Sequence, residues 1–310
     1  MRVLVTGGGG FVGANVVEAL VAAGYDTLAL DRPGTPRVPG RGAGFIEADI
    51  RDGVACGRAL EGVGTLVHCA AVTPSASADI DAVLRAFAIN LAATSDLAMA
   101  CERRGVRMIH LSSASVYGAA SDGPLDEVET WPRPVAAYGI SKLAAEQFVV
   151  SRRASGLQAG VLRIGSVFGP HERGTGVRDT LSAPYQVTRA ARKGQAVRLP
   201  RAGRRDWIYA RDVAAAVLAA IRLDALPDPP VNIAGLEEWS VADWCESIAR
   251  HVPFDWRIDP ADPTIDFHGR DDRPPLATRR MRDLLGFRPT YTRERACEDY
   301  LRWLEENEAT

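Results

Sequence analysis

The sequence predicts an α/β fold, a doubly wound parallel sheet with a smaller mixed C-terminal lobe, on three observations. A short apolar run, Val3 to Val5, leads through Thr6 into four consecutive glycines and on to an apolar, helix-like segment. Strand-like and helix-like runs then alternate as far as residue 165, the order expected of parallel strands joined by helical crossovers. Polar residues collect directly after the strand-like runs, where ligands bind in sheets of this kind.

The first element fixes the reading of the others. Gly7, Gly10 and Gly13 have the spacing of a dinucleotide-binding (Rossmann) turn: one glycine for the turn, one for approach of backbone to a pyrophosphate, one for helix against strand. The amides that open the next helix, at Phe11 and Val12, are placed to hold phosphate oxygens. A second apolar strand, residues 27–30, ends in Asp31, an acceptor for the hydroxyls of an adenosine ribose. A carboxylate there repels a 2′-phosphate, so NAD is expected over NADP, although Arg32 next to it suits a 2′-phosphate.

After a Pro- and Gly-rich loop, residues 33–44, a third strand is expected over 45–48. Asp49 and Ile50 follow it and read as adenine contacts, with a helix N-cap as the other reading of Asp49. A helix over 54–60 and a strand over 65–68 come next. The small residues Cys69, Ala70 and Ala71 then let backbone lie against the cofactor, and His68 reads as a packed strand-end histidine. Residues 79–104 are alanine-rich with helical periodicity, in one long rod or two pieces. Asn90 within them reads as solvent-facing, as an anchor for the neighbouring strand, or as the holder of a water at the cofactor site. A strand over 106–111 delivers Ser112, Ser113, Ser115 and Tyr117 at its carboxyl end. The proline-bearing stretch 119–134 is expected to be irregular and to face the substrate as a lid. A helix over 137–154 and a strand over 157–164 complete the first unit.

The expected organisation is an NAD-binding domain over residues 1–165, to which 207–235 returns, and a substrate-binding lobe over 166–310. Helices near 213–221, 241–250, 281–285 and 293–306 and a strand over 231–233 are expected in the second part.

Composition excludes several classes. The chain has 310 residues, 46% of them apolar and 25% charged, with a formal charge of -2, so no global attraction to nucleic acid or to an anionic membrane is expected. The longest uninterrupted apolar run, residues 213–221, is too short for a membrane span, and no secretory leader is apparent at the start. Five scattered cysteines without a Cys-x-x-Cys pair argue against disulfides and against a metal site, and for reduced thiols in a cytoplasm. Nearly all basic residues are arginine, Lys142 and Lys193 being the lysines.

One of those lysines carries chemistry. Tyr138 and Lys142 are four residues apart and share a helix face. A phenol of reference pKa ~10 needs that value lowered before it serves as a base near neutrality, and a neighbouring ammonium acts in that direction. Ser113 is placed to polarise the same substrate oxygen, with Ser112 and Ser115 as rivals.

With these residues the sequence resembles the extended short-chain dehydrogenase/reductase family, specifically its NAD-dependent epimerase/dehydratase branch of UDP-glucose/UDP-galactose 4-epimerase type. The resemblance rests on the Thr6 to Gly13 turn, Asp31, the stretch Ser113 to Gly118, Tyr138 with Lys142, residues 163–170 and residues 205–209. It implies a catalytic group of Ser113, Tyr138 and Lys142, a contact of Lys142 with the nicotinamide ribose, and Tyr117 close to the nicotinamide. It also implies a homodimer paired through helices 79–104 and 137–154. Dehydratases of the branch carry Asp-Glu where this chain has Ala114 and Ser115, so the groups that eliminate water are missing. Many nucleotide-sugar members have Asn at the position of Ser166, and their loop before the Arg-Asp-aromatic element is longer than residues 199–204.

The partner expected is a small molecule, a nucleotide sugar or a sugar acid. Arg173, Arg178, Arg205 and Arg270 are candidates for its anionic group, because a guanidinium fork suits a diphosphate or a carboxylate. Arg205 stands where nucleotide-sugar members use an arginine on the diphosphate. Nucleotide-sugar 4-epimerase is the leading expectation, ahead of a dehydrogenase of a free sugar or sugar acid and of a non-catalytic dinucleotide-binding regulator.

Overall fold

The computed structural model describes residues 1–37, 42–75, 77–118, 123–267, 269 and 271–308. The first unit runs β1 (Arg2–Thr6), α1 (Phe11–Ala22), β2 (Asp26–Asp31), β3 (Gly44–Glu47), α2 (Gly53–Ala59), β4 (Thr65–His68) and α3 (Ile80–Ala86). A π-helical stretch, Phe87–Ala93, joins α3 to α4 (Thr94–Arg104), which is followed by β5 (Arg107–Ser113), a 3-10 turn (Ala114–Tyr117) and α5 (Ala137–Ser151). Then come β6 (Ala159–Ile164), β7 (Ser166–Phe168), α6 (Ala183–Arg192), β8 (Val197–Leu199), β9 (Arg204–Arg205), β10 (Trp207–Tyr209) and α7 (Ala210–Arg222). The chain ends with β11 (Val231–Ile233), β12 (Trp239–Ser240), α8 (Val241–Ala249), β13 (Trp256–Ile258), α9 (Arg279–Leu285) and α10 (Arg293–Glu308).

Seven strands form one parallel sheet in the order β11-β6-β5-β4-β1-β2-β3. The chain builds outward from β1 through β2 to β3, then returns to place β4 on the other side of β1. The crevice at that reversal, beyond the carboxyl ends of β1 and β4, is where a doubly wound sheet binds ligand. Successive side chains of β1 point to opposite faces. Val3 and Val5 pack with α1, α7 and α9, while Leu4 packs with α2, α4 and Val149. A third core holds Phe168, Trp207, Trp239, Trp244 and Tyr300, with Trp244 edge-on to Phe168 at 5.0 Å and stacked on Trp239 at 5.4 Å.

Several local expectations change. Residues 79–104 form one rod that begins at Asp79, whose carboxylate accepts from the Ala82 amide. By length and composition Ile80–Arg104 is apolar enough to cross a bilayer, which the shorter run at 213–221 did not suggest. Here the rod packs along α5 and buries the polar residues Asn90 and Thr94. The α2 cap is Asp52, which accepts from the amides of Val54 and Ala55, and not Asp49. Residues 205–209 stay outside the main sheet: β9 pairs with β12 and β10 with β7. The return to it is made by β11, which pairs with β6. Residues 119–122 lie outside the described residues; of the rest of the expected lid, Leu125 and Glu127 are tied down, while Val128 and Trp131 are exposed. Leu125 is fully buried, exchanging backbone hydrogen bonds with the segment at Pro275 and Ala277, and Glu127 accepts from the Asn232 amide.

Candidate active site

The glycine turn after β1 is shaped by close backbone contact. Gly7 has φ +69°, and a Cβ on it would lie 2.7 Å from the Ala70 nitrogen, so the backbone after β4 can pass this close only with glycine there. A Cβ on Gly13 would lie 2.0 Å from the Gly7 carbonyl oxygen, so α1 can begin this close to the turn only with glycine there. Gly10 donates to the Gly7 oxygen at 3.0 Å and offers α1 no side-chain cap. The first amides of α1, including those of Phe11 and Val12, therefore have no acceptor within the helix. Asp31 ends β2 beside this turn. Its Oδ2 accepts from the Gly9 amide at 3.0 Å, and its Oδ1 accepts from the Arg32 amide and the Thr35 hydroxyl. A cradle that a Cβ would fill, uncapped amides and an acid at the end of β2 together fit a dinucleotide.

Other expected cofactor contacts fare differently. Ile50 is a core residue, packed with Cys56, and the Asp49 carboxylate is held low in pKa by its hydrogen bonds and ion pair with Arg51 at 2.6 Å. Asn90 is fully buried, not solvent-facing. Its Oδ1 accepts from the Val72 amide and its Nδ2 donates to the Val72 oxygen and to Ser141 Oγ, so it ties the chain after β4 to α5. Asn90 sits in the π-helical stretch Phe87–Ala93, a kind of turn frequent at functional sites. His68 is buried as expected, bonded to Thr6 and Thr94, and burial drops its pKa to about 3.

At the reaction end, Ser113 closes β5, its Oγ accepting from the Ser115 amide and donating to Ser115 Oγ, both at 3.1 Å. The Tyr138 phenol faces the hydroxyls of Ser113 and Thr73. One turn along α5, Lys142 is buried and donates from Nζ to the Leu111 oxygen at 2.5 Å. Helix α5 comes close to the turn after β5 because residue 139 is glycine; a Cβ there would sit 2.6 Å from the Ser115 oxygen.

Burial pushes the Tyr138 phenol up, and the groups that pull it down are Ser113, Arg178 and Thr73. Lys142 is not among them: its own burial lowers its pKa to about 8. Among the charged groups, Arg178 is the one whose charge lowers the phenol.

Two expected substrate contacts belong to the interior instead. Ser112 donates to Glu146 Oε2 at 2.8 Å. The Tyr117 hydroxyl donates to Asn232 Oδ1 at 2.8 Å and accepts from Arg163 Nη1 at 2.9 Å, with the guanidinium 4.9 Å from its ring. Both hydroxyls are consumed by partners that hold α5 and β11 to the sheet. Arg173 also moves, to the dinucleotide turn, where its Nη2 donates to the Gly9 oxygen at 2.7 Å. Ser166 opens β7, partly exposed, in register with Trp207. Arg205 lies on β9 with its pKa lowered to about 10 by burial and by Arg273 and Arg201. Arg270 lies outside the described residues.

Thr73, Glu172, Arg201 and Arg273 were not anticipated. Arg273 donates to Asp206 Oδ1 at 2.9 Å, and Asp206 stands in the Arg205 to Tyr209 stretch that the sequence had already marked. A search for charged partners of that stretch would have found it.

The sequence matches the profile of the NAD dependent epimerase/dehydratase family over residues 3–234. The chain belongs to this family. Among solved structures, it is similar to UDP-glucose 4-epimerase of Thermus thermophilus in complex with NAD, at 27% identity, 97% of this chain, 99% of that one and a TM-score of 0.80. MoeE5 in complex with UDP-glucuronic acid and NAD is 26% identical, with 99% of both chains covered and a TM-score of 0.82. A curated relative, dTDP-6-deoxy-L-talose 4-dehydrogenase (NAD(P)(+)) of Kitasatospora kifunensis, is 31% identical over 75% of this chain and 73% of its own length. The chain spans only 42% to 53% of the length of several other curated relatives that it matches. The family is one of NAD-dependent enzymes, and the Thermus thermophilus and MoeE5 structures hold NAD.

Proposed function

We propose that this chain oxidises a sugar carbinol with NAD, and that its reaction is the 4-epimerisation of a nucleotide sugar. NAD, when bound, supplies the hydride acceptor. Asp31 would hold the adenosine ribose, the amides of Phe11 and Val12 would take the phosphates, and Lys142 would hold the nicotinamide ribose. The carbinol oxygen sits between the hydroxyls of Ser113 and Tyr138. Tyr138 removes its proton as hydride leaves the carbon, and Ser113 holds the oxygen by a hydrogen bond. In an epimerisation Tyr138 would give the proton back to that oxygen when the ketone is reduced again from its opposite face. Ala114 and Ser115 offer no acid and base for loss of water.

The observation that carries the nucleotide-sugar reading is the arginine cluster at β9. Burial, and after it the nearby charges of Arg273 and Arg201, lower the pKa of Arg205 to about 10. Arg201 and Arg273 are each held by a carboxylate, Asp272 at 3.0 Å and Asp206 at 2.9 Å, so the diphosphate reading rests on the guanidinium of Arg205 set among them. Calorimetric titration of the NAD-loaded protein with UDP tests it: binding that disappears in Arg205→Ala supports the reading, and absence of binding to the unmutated protein contradicts it.

A second reading, a dehydrogenase of a free sugar acid, is favoured by Ser166 in place of asparagine and by the short connection 199–204. Accumulation of free NADH with a sugar acid, and none with UDP-glucose, selects it.

A further inference from the structure

Residues 173–179 cross the mouth of the cleft as a strap. Arg173 reaches the Gly9 oxygen, and the Thr175 oxygen accepts from Arg32 Nη2 at 3.2 Å. On the other side of the cleft, the Thr73 amide donates to the Val177 oxygen at 2.7 Å and the Thr73 oxygen accepts from the Asp179 amide at 3.2 Å. These bonds make Thr73 and Arg178 partners in a parallel bridge. Residues paired across a bridge send their side chains to the same face. Thr73 sends its hydroxyl to the Tyr138 phenol, so Arg178 stands on the phenol's side of the strap.

The guanidinium of Arg178 is held at one edge. Nη1 donates to Glu172 Oε1 at 3.0 Å, and the guanidinium carbon lies 5.7 Å from the Phe11 ring centroid. Glu172 cannot follow a ligand, because its carboxylate is buried and pinned by the Ser182 amide at 2.6 Å and the Ser182 hydroxyl at 2.5 Å. The described hydrogen bonds of Arg178 leave Nε and Nη2 for another acceptor. A fixed guanidinium edge beside the reacting phenol matches a planar carboxylate with two parallel hydrogen bonds.

We propose that Arg178 anchors a carboxylate carried by the substrate itself, close to the carbinol that Tyr138 deprotonates. The substrate class is a sugar acid, free or attached to a nucleotide. This rests on the reading of Tyr138 as the base, and the two fail separately.

The test is calorimetry on the NAD-loaded protein with D-glucuronate, UDP-glucuronate, D-glucose and UDP-glucose, followed by hydride transfer with the same four probes. The expected result is that at least one acid binds more tightly than its neutral counterpart. Arg178→Gln should weaken that acid by roughly 10- to 100-fold, the range of a charge-assisted pair, while leaving NAD and the neutral probe within about twofold. Arg178→Lys should fall between, since it keeps the charge and loses the fork. Glucuronate bound as well as UDP-glucuronate assigns the carboxylate to a free acid, whereas tight binding of UDP-glucuronate alone assigns it to a nucleotide-linked one. Acid binding that depends on Arg178, without hydride transfer, supports the anchor and overturns the oxidoreductase reading. Equal affinity for acids and neutral sugars, or an equal loss for both in Arg178→Gln, overturns the anchor.

Discussion

Arg163 of β6 and Glu146 of α5 meet inside the protein, Nη2 to Oε1 at 2.6 Å, with side chains 3% and 0% exposed. Glu146 lies one turn beyond Lys142 and two beyond Tyr138, so this pair sets how α5 sits on the sheet. Ser112 and Tyr117 complete it. Glu146→Gln leaves the guanidinium charge buried and unbalanced, and is expected to cost roughly 3–5 kcal/mol. Replacing both partners by leucine or methionine should cost less than that single change. Urea unfolding of the three proteins checks the order.

Asp31 faces the glycine turn through the Gly9 amide. Asp31→Ala is expected to reduce preference for NAD over NADP, because it removes both the acceptor for ribose hydroxyls and the charge that repels a 2′-phosphate. Dissociation constants for the two dinucleotides measure this, and a preference for NADP in the unmutated protein would mean that Arg32 governs the site.

His68 and His110 stack in the sheet with ring centroids 5.4 Å apart. Among the described residues neither nitrogen of His110 has a hydrogen-bond partner, and burial lowers the pKa of both rings below the usual 6.5. Below that value the unfolded chain binds protons that the folded protein refuses. Stability is therefore full above about pH 6.5 and lost progressively toward about pH 3. His110→Phe removes two unpaired buried nitrogens and is expected to raise stability near neutrality by about 1–3 kcal/mol and to flatten the acid decline. Unfolding midpoints across that pH range read both effects.

A homodimer through α3, α4 and α5 is expected, since Ile80 and Leu84 are 68% and 59% exposed one helical turn apart and Ile140 is 40% exposed on α5. Sedimentation at micromolar concentration should give twice the chain mass, and Leu84→Glu should shift it to the monomer.

The turn chemistry and strand lengths of the first half were legible because local forces set them. Glycine spacing, the acid after β2 and the short apolar strands need no distant partner to be read. What was missed depends on partners far away in sequence. Ser112 and Tyr117 carry the residue types of a substrate site, but Glu146, Arg163 and Asn232 claim their hydroxyls. The strands β7 to β10 are two or three residues long, too short for any periodicity. Arg178 was singled out as one of several lobe arginines. Its place opposite Tyr138 follows from a bridge to Thr73, which no local pattern announces.

The central claim is that Tyr138 moves the substrate proton. Burial holds its phenol pKa up and Arg178 draws it back, so loss of the hydroxyl should stop chemistry without disturbing the cofactor cradle at Gly7 to Gly13. The decisive measurement is hydride transfer by Tyr138→Phe beside its NAD dissociation constant. The account predicts a fall of about 10²- to 10⁴-fold in turnover with NAD affinity nearly unchanged. Turnover within a few-fold of the unmutated protein would contradict it.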